Sequence, residues 1–185
     1  QVLNHLLPSP ADPKVKFMSR QTTELVIPTS SGAFRMMNTH LEFFSEKQQL
    51  SQVQRIRELH EEACIQYHEP GLDLPNTPFE RVDRPDKMVI CGDFNFTLDS
   101  VSYQRMTAPF PEKIPNLFDA WNVVNPDGNR SPTCGVFDHK QWKNGPHCRD
   151  YFFLSENFLQ QIQDISVNTN TNASDHQPIR LTLKV

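Results

Sequence analysis

The sequence has no apolar run long enough to cross a bilayer, which takes about eighteen consecutive residues. It shows no secretory signal pattern, and a cytoplasmic location is the expectation. Positive charge is also short. Eighteen Lys and Arg stand against twenty-two Asp and Glu, for a net charge of −4 and a pI near 6.0. Such a chain has no general electrostatic pull on nucleic acid or anionic lipid, so any basic site must be local. Glycine is scarce, with six residues against fifteen prolines, which favours long, stiffened connections over floppy ones. The four cysteines, at 64, 91, 134 and 148, share no tight spacing and read as reduced thiols. Cys134, His139, His147 and Cys148 supply enough donors for zinc, but their spacing matches no zinc module and a zinc site is rejected. What remains is a chain of 185 residues, 37% hydrophobic, of a length that suits one domain with a real core.

The chain is organised around Met88-Val89-Ile90-Cys91-Gly92-Asp93-Phe94-Asn95. Its apolar first half suits a strand buried on both faces. Alternation then turns Asp93 and Asn95 to one side and Phe94 to the other. Strand ends running into loops are where α/β proteins tend to place chemistry.

Upstream, the proline-bearing opening from Gln1 to Lys14 reads as a loop entered midway. Val15–Met18 and Thr22–Ile27 are extended candidates, and a turn at Ser30-Ser31-Gly32 leads into a strand ending at His40. Ser45-Glu46-Lys47-Gln48 forms a capping box. After it, Leu50, Val53, Ile56, Leu59, Ala63 and Tyr67 recur at helical spacing up to His68. Lys47, Arg55 and Arg57 are assigned to the solvated face of this helix, and His60 and His68 to no chemical role. Residues 69–86 form a long loop, a candidate lid or specificity element.

Downstream, Asp99-Ser100 reads as the cap of a short helix through Met106, and Phe118–Trp121 is read as a second one with Trp121 in the core. Residues 125–148 are loop-dominated. They carry Arg130, Lys140, Trp142 and Lys143, which with Arg149 suggest a local basic patch with an aromatic. Strands follow over 149–155, 162–167 and 179–185, the last preceded by Ser174-Asp175-His176-Gln177-Pro178.

Polar clusters thus end four predicted strands: His40, Asp93 with Asn95, Asp150, and Asp175 with His176. Carboxylates, imidazoles and an amide together suit metal-assisted attack of water on phosphorus. Asn38-Thr39-His40-Leu41, Gly92-Asp93-Phe94-Asn95, Asp150-Tyr151-Phe152 and Ser174-Asp175-His176-Gln177-Pro178, in that order, resemble the motifs of the endonuclease/exonuclease/phosphatase superfamily. The resemblance runs from about residue 15 to the end and is to a bacterial-type member. It implies an α/β protein, a four-layer α/β/β/α sandwich with two packed, mainly antiparallel sheets. It implies a single domain over 1–185, the C-terminal portion of a catalytic domain. Asp93 would activate the water, Asn95 would hold a phosphate oxygen, and Asp175 would hold Mg²⁺, with Mn²⁺ as a substitute. His176 would donate to the phosphoryl group with Asp150 fixing its ring, and His40 would be a second imidazole. The implied activity is hydrolysis of a phosphate ester, with nucleic acid as the favoured substrate. The alternatives are a phosphatase- or sphingomyelinase-like enzyme and a catalytically silent binding member.

The family's first strands bear an asparagine and a metal-binding glutamate, and nothing from Val15 onward matches them. Neither Glu24 nor Glu42 stands in that context, so neither inherits the role. The expectation is a fold incomplete at its N-terminus, completed by a further segment of the same domain or by a second chain. An apolar face left uncovered would then drive association.

Overall fold

The computed structural model describes residues 2–185. Eight strands form two sheets: β1 (Val2–Leu6), β2 (Gln21–Ile27), β3 (Phe34–His40), β4 (Met88–Asp93), β5 (Leu117–Asp119), β6 (Asp150–Ser155), β7 (Ile162–Val167) and β8 (Ile179–Leu183). The first six make one sheet in the order β1-β2-β3-β4-β6-β5, and β7 and β8 make a second. Only β3 and β4 run parallel; the remaining pairs are antiparallel. The parallel pair needs a crossover, and helix α1 (Glu46–His68) supplies it.

Alternation along the central strands sends successive side chains into two cores. Met37, Met88, Ile90, Tyr151 and Phe153 face α1, where Val53, Ile56 and Leu59 meet them along with Met106 of α2 (Val101–Met106). Phe34, Val89 and Leu154 face the other way. They meet Trp121 of α3 (Ala120–Val124), Phe158 of a 3₁₀ turn and Ile165 of β7. Helices, large sheet and small sheet are therefore stacked as α/β/β, three layers of the four-layer α/β/β/α sandwich that the resemblance implies.

Several sequence expectations need correction. The opening stretch is not loop throughout, because Val2–Leu6 pairs along β2. Val15–Met18 forms no strand, and Phe17 and Met18 are exposed. The span 118–121 begins as strand β5 and becomes helical only at Ala120, with Asp119 capping Trp121. The capping box is half made. Ser45 Oγ accepts from the Gln48 amide, but the Gln48 side chain donates to Pro10 instead of returning to Ser45. Arg57 is not solvated. Its guanidinium lies over Phe110 and donates to the carbonyls of Met106, Ala108 and Pro109, clamping α1 to the next connection.

The 69–86 loop is anchored by Arg84, whose Nε and Nη2 reach both oxygens of buried Glu24 at 2.8 and 2.9 Å. Fully buried Arg35 stands beside the same carboxylate and donates to Pro85 and to Nδ1 of His60. Burial pushes the His60 imidazole down to about 3, so the ring is neutral and its Nε2–H donates to Pro115. No residue of the loop lines the cleft at the carboxyl ends of β3 and β4, so it forms no lid over that cleft.

Candidate active site

Register across three neighbouring strands builds the site. His40 at the end of β3 pairs with Asp93 at the end of β4, and Asp93 pairs with Asp150 at the start of β6. Three residues far apart in sequence thus stand in one row at one edge of the sheet. Gly92 makes the row feasible. Its φ is +145°, and a Cβ there would lie 1.8 Å from the Thr39 carbonyl oxygen. Only glycine lets the backbone just before Asp93 adopt this conformation so near β3.

Asn95 follows in the left-handed region at φ +56°, which asparagine tolerates better than most residues. Its backbone N–H donates to Asp93 Oδ1 and its side-chain amide to the Leu41 carbonyl, leaving the second amide hydrogen uncommitted. His176 arrives from the other sheet, on the connection between β7 and β8. Cys134 bridges to His176, and Gln177 N–H donates to Thr133 at 2.7 Å. The Thr133 hydroxyl in turn accepts the amides of Arg149 and Asp150, so the residue ties both sheets' contributions together.

The imidazole of His176 is held at Nδ1 by Asp150 Oδ2, 2.8 Å away. Its Nε2 lies 3.8 Å from Asp93 Oδ2, which is also 3.5 Å from Nε2 of His40. The environment divides the two histidines. The hydrogen bond to Asp150 raises His176, favouring its charged form. Burial lowers His40, favouring its neutral form. Asp93 is raised by burial and then by the like charge of Asp150. An imidazole whose charged form is favoured, one whose neutral form is favoured and a carboxylate made more basic share a cleft of about 440 Å³. Groups with opposed proton affinities set side by side are what general acid–base chemistry requires.

Asp93, Asp150 and His176 each offer one ligand atom, all within 4.8 Å of one another, the one such cluster among the described residues. Two carboxylates and an imidazole fit a divalent cation, which would relieve the repulsion between the acids. Asp175, the residue expected to hold the metal, stands at the edge. Its Oδ2 is 3.9 Å from His176 Nε2 and accepts from Gln141. Glu24 and Glu42 are both committed elsewhere, Glu24 to Arg84 and Glu42 to the amides of Phe43 and Phe44. Cys134, His139, His147 and Cys148 form no such cluster.

All six residues singled out by sequence, His40, Asp93, Asn95, Asp150, Asp175 and His176, converge here; five line the cleft and Asp150 stands behind His176. The basic patch does not assemble as expected, since Arg130 is buried against Asp119. Sequence reasoning missed Phe43, Phe44 and Gln141, which line the same cleft. Paired phenylalanines directly after the His40 motif were the available signal.

The fold is a layered α/β sandwich with a polar cluster at one sheet edge, and comparison identifies its family. The chain belongs to the Endonuclease/Exonuclease/phosphatase family, whose model matches residues 55–176. Members of that superfamily hydrolyse phosphoesters. An exodeoxyribonuclease of Bacillus subtilis (strain 168) is 24% identical over 124 residues, covering 56% of this chain and 47% of that protein. Among solved structures, a mannosyl-6-phosphatase of Bacteroides thetaiotaomicron superposes with a TM-score of 0.66 at 17% identity, over 100% of this chain and 66% of that one. A humanized D. rerio TDP2 gives 0.59 at 15% identity, over 100% and 68%. The chain thus spans about half the length of the curated relative and about two thirds of these structures. No helix among the described residues is long and apolar enough to cross a membrane.

Proposed function

We propose that this domain hydrolyses a phosphodiester by attack of activated water on phosphorus, assisted by a divalent cation, Mg²⁺ with Mn²⁺ as a substitute. The observation that carries the reading is the His40–Asp93–Asp150 row facing a histidine oriented by Asp150. Asp93 accepts the proton of the attacking water. His176, charged and held at Nδ1, presents Nε2–H to a phosphoryl oxygen, and the spare amide hydrogen of Asn95 supports the same group. Neutral His40, across Asp93, serves the leaving oxygen. A cation held by Asp93 and Asp175, with Asp150 nearby, would neutralise charge on the phosphoryl oxygens. Nucleic acid is the favoured substrate.

The test is Mg²⁺-dependent release of p-nitrophenol from bis-p-nitrophenyl phosphate, with the monoester as comparator. Asp93→Asn and His176→Ala should each lower turnover by about 100-fold or more, with the unfolding transition retained. Full activity in either variant sinks the assignment. Faster turnover of the monoester would favour a phosphatase. A binding-only role draws on the commitment of Glu24 and Glu42 to structural contacts, and absence of turnover with either ester would favour it.

A further inference from the structure

Beside the catalytic cleft lies a second one of about 520 Å³, sharing Phe43, Gln141 and Trp142 as a common wall. Its volume falls in the range of about 300–1,000 Å³ usual for small-molecule sites. Arg149 lines it and is held rigidly: Nε donates to His147 Nε2 at 2.9 Å and Nη1 to the Asn95 carbonyl at 2.6 Å. The His147 ring is oriented in turn by a Gly145 carbonyl at Nδ1. Arg149's acceptors are an imidazole nitrogen and a backbone carbonyl, and no carboxylate pairs with it among the described residues. The other guanidinium donors of its five-donor fork stay available. The guanidinium carbon sits 5.2 Å from the Phe43 ring and 5.0 Å from the Trp142 ring.

The two aromatics differ in what they can offer. Trp142 is 7% exposed, with edge contacts to Phe43, His147 and His176, and acts as a fixed wall. Phe43 is 44% exposed, and its backbone is pinned because Glu42 accepts its amide. A preset cation without a counter-anion, next to an open aromatic face and joined to a phosphoester site, matches one repeating ligand chemistry. That chemistry is a phosphate attached to a flat ring.

We propose that this second cleft is a nucleotide subsite, in which Arg149 grips the phosphate and Phe43 stacks the base of the nucleotide adjoining the scissile ester. Because a base reaches such a face only when unpaired, the substrate is single-stranded nucleic acid. Lys143, which also lines the cleft, adds charge at its mouth. The inference rests on the phosphodiester reading above and names its substrate class.

The test measures equilibrium binding, by tryptophan fluorescence without added metal, of single-stranded hexathymidylate. Its comparators are the same strand carrying one base-free tetrahydrofuran unit at each position in turn, and a longer blunt-ended thymidylate–adenylate duplex that stays paired at the assay temperature. The wild-type protein should bind the intact strand about ten-fold tighter than at least one abasic strand and tighter than the duplex. Phe43→Ala should erase that preference while leaving affinity for the abasic strand in place. Arg149→Gln should weaken intact and abasic strands alike, with Arg149→Lys recovering part of the loss. A base preference that survives Phe43→Ala, equal binding of the duplex, or no preference in the wild type overturns the subsite. Hydrolysis of bis-p-nitrophenyl phosphate with no base preference would sink the subsite alone. Base-dependent binding without any hydrolysis would sink the catalytic reading alone.

Discussion

Asp150 accepts a 2.8 Å hydrogen bond from Nδ1 of His176 while the other ring nitrogen faces Asp93 at 3.8 Å. One carboxylate therefore sets the orientation of the ring and favours its charge, and a second stands beside the other nitrogen. The two partners come from different sheets, so the pair also reports whether the sheets are packed correctly.

Asp150→Asn removes the partner that raises His176. The imidazole should then titrate at lower pH, read by NMR of the ring nitrogens without divalent metal. An unchanged titration would mean that Asp150 does not govern the ring. A raised folded pKa contributes stability fully present below the unfolded value, about 6.5, and lost as pH rises through the folded value. The stability gap between wild type and Asp150→Asn should accordingly narrow from acid to alkaline pH in urea titrations.

Asp93→Asn should separate activity from stability. Burial and the neighbouring Asp150 raise the Asp93 carboxyl, so its ionised form is disfavoured in the folded state and costs stability above its usual value. A neutral amide removes that cost. Thermal unfolding at about pH 8, above the usual carboxylate range, should show a Tm equal to or above wild type while turnover is lost. A large drop in Tm would assign Asp93 a structural role instead.

Gly92→Ala should damage the whole row. With a Cβ 1.8 Å from the Thr39 oxygen and φ at +145°, β3 and β4 must separate. The cost should be about 3 kcal/mol or more, with His40 and Asp93 no longer in register. Urea unfolding measures the first effect and turnover the second. A variant of wild-type stability would contradict the close approach.

Arg84→Ala leaves the buried carboxylate of Glu24 with only Arg35 and His5 nearby. Breaking a buried pair on one side costs about 3–5 kcal/mol. The 69–86 loop should also become more open to limited proteolysis, because Arg84 is one of its ties to the sheet, beside the Arg35–Pro85 hydrogen bond. Catalytic parameters of the folded fraction should stay near wild type, since the loop lies away from the cleft.

How much of this was legible depends on how local each signal is. The extent of α1, the buried centre of β4 and the capped start of α2 follow from periodicity and caps a few residues long. Strand β1 was hidden because its evidence is the pairing with β2, well over ten residues away. Arg57 looked solvent-facing because nothing in its helical neighbourhood reveals three carbonyls arriving from 106–109. Arg130 looked like a free cation because its partner Asp119 is recognisable only once β5 lies against β6. The polar cluster at the sheet edge was legible for a different reason. Each of its motifs ends a strand, and strand ends can be read one at a time.

The sequence by itself determined which side chains could do chemistry and where strands and helices carry them, since those rest on neighbours along the chain. Tertiary structure alone decided that His176 faces Asp93 across the two sheets. It also decided that Asp150 orients that ring, and that Arg149 is caged between Phe43 and Trp142. Ångström-scale spacing between residues distant in sequence is set by sheet register and core packing, and a linear pattern of residue types carries neither.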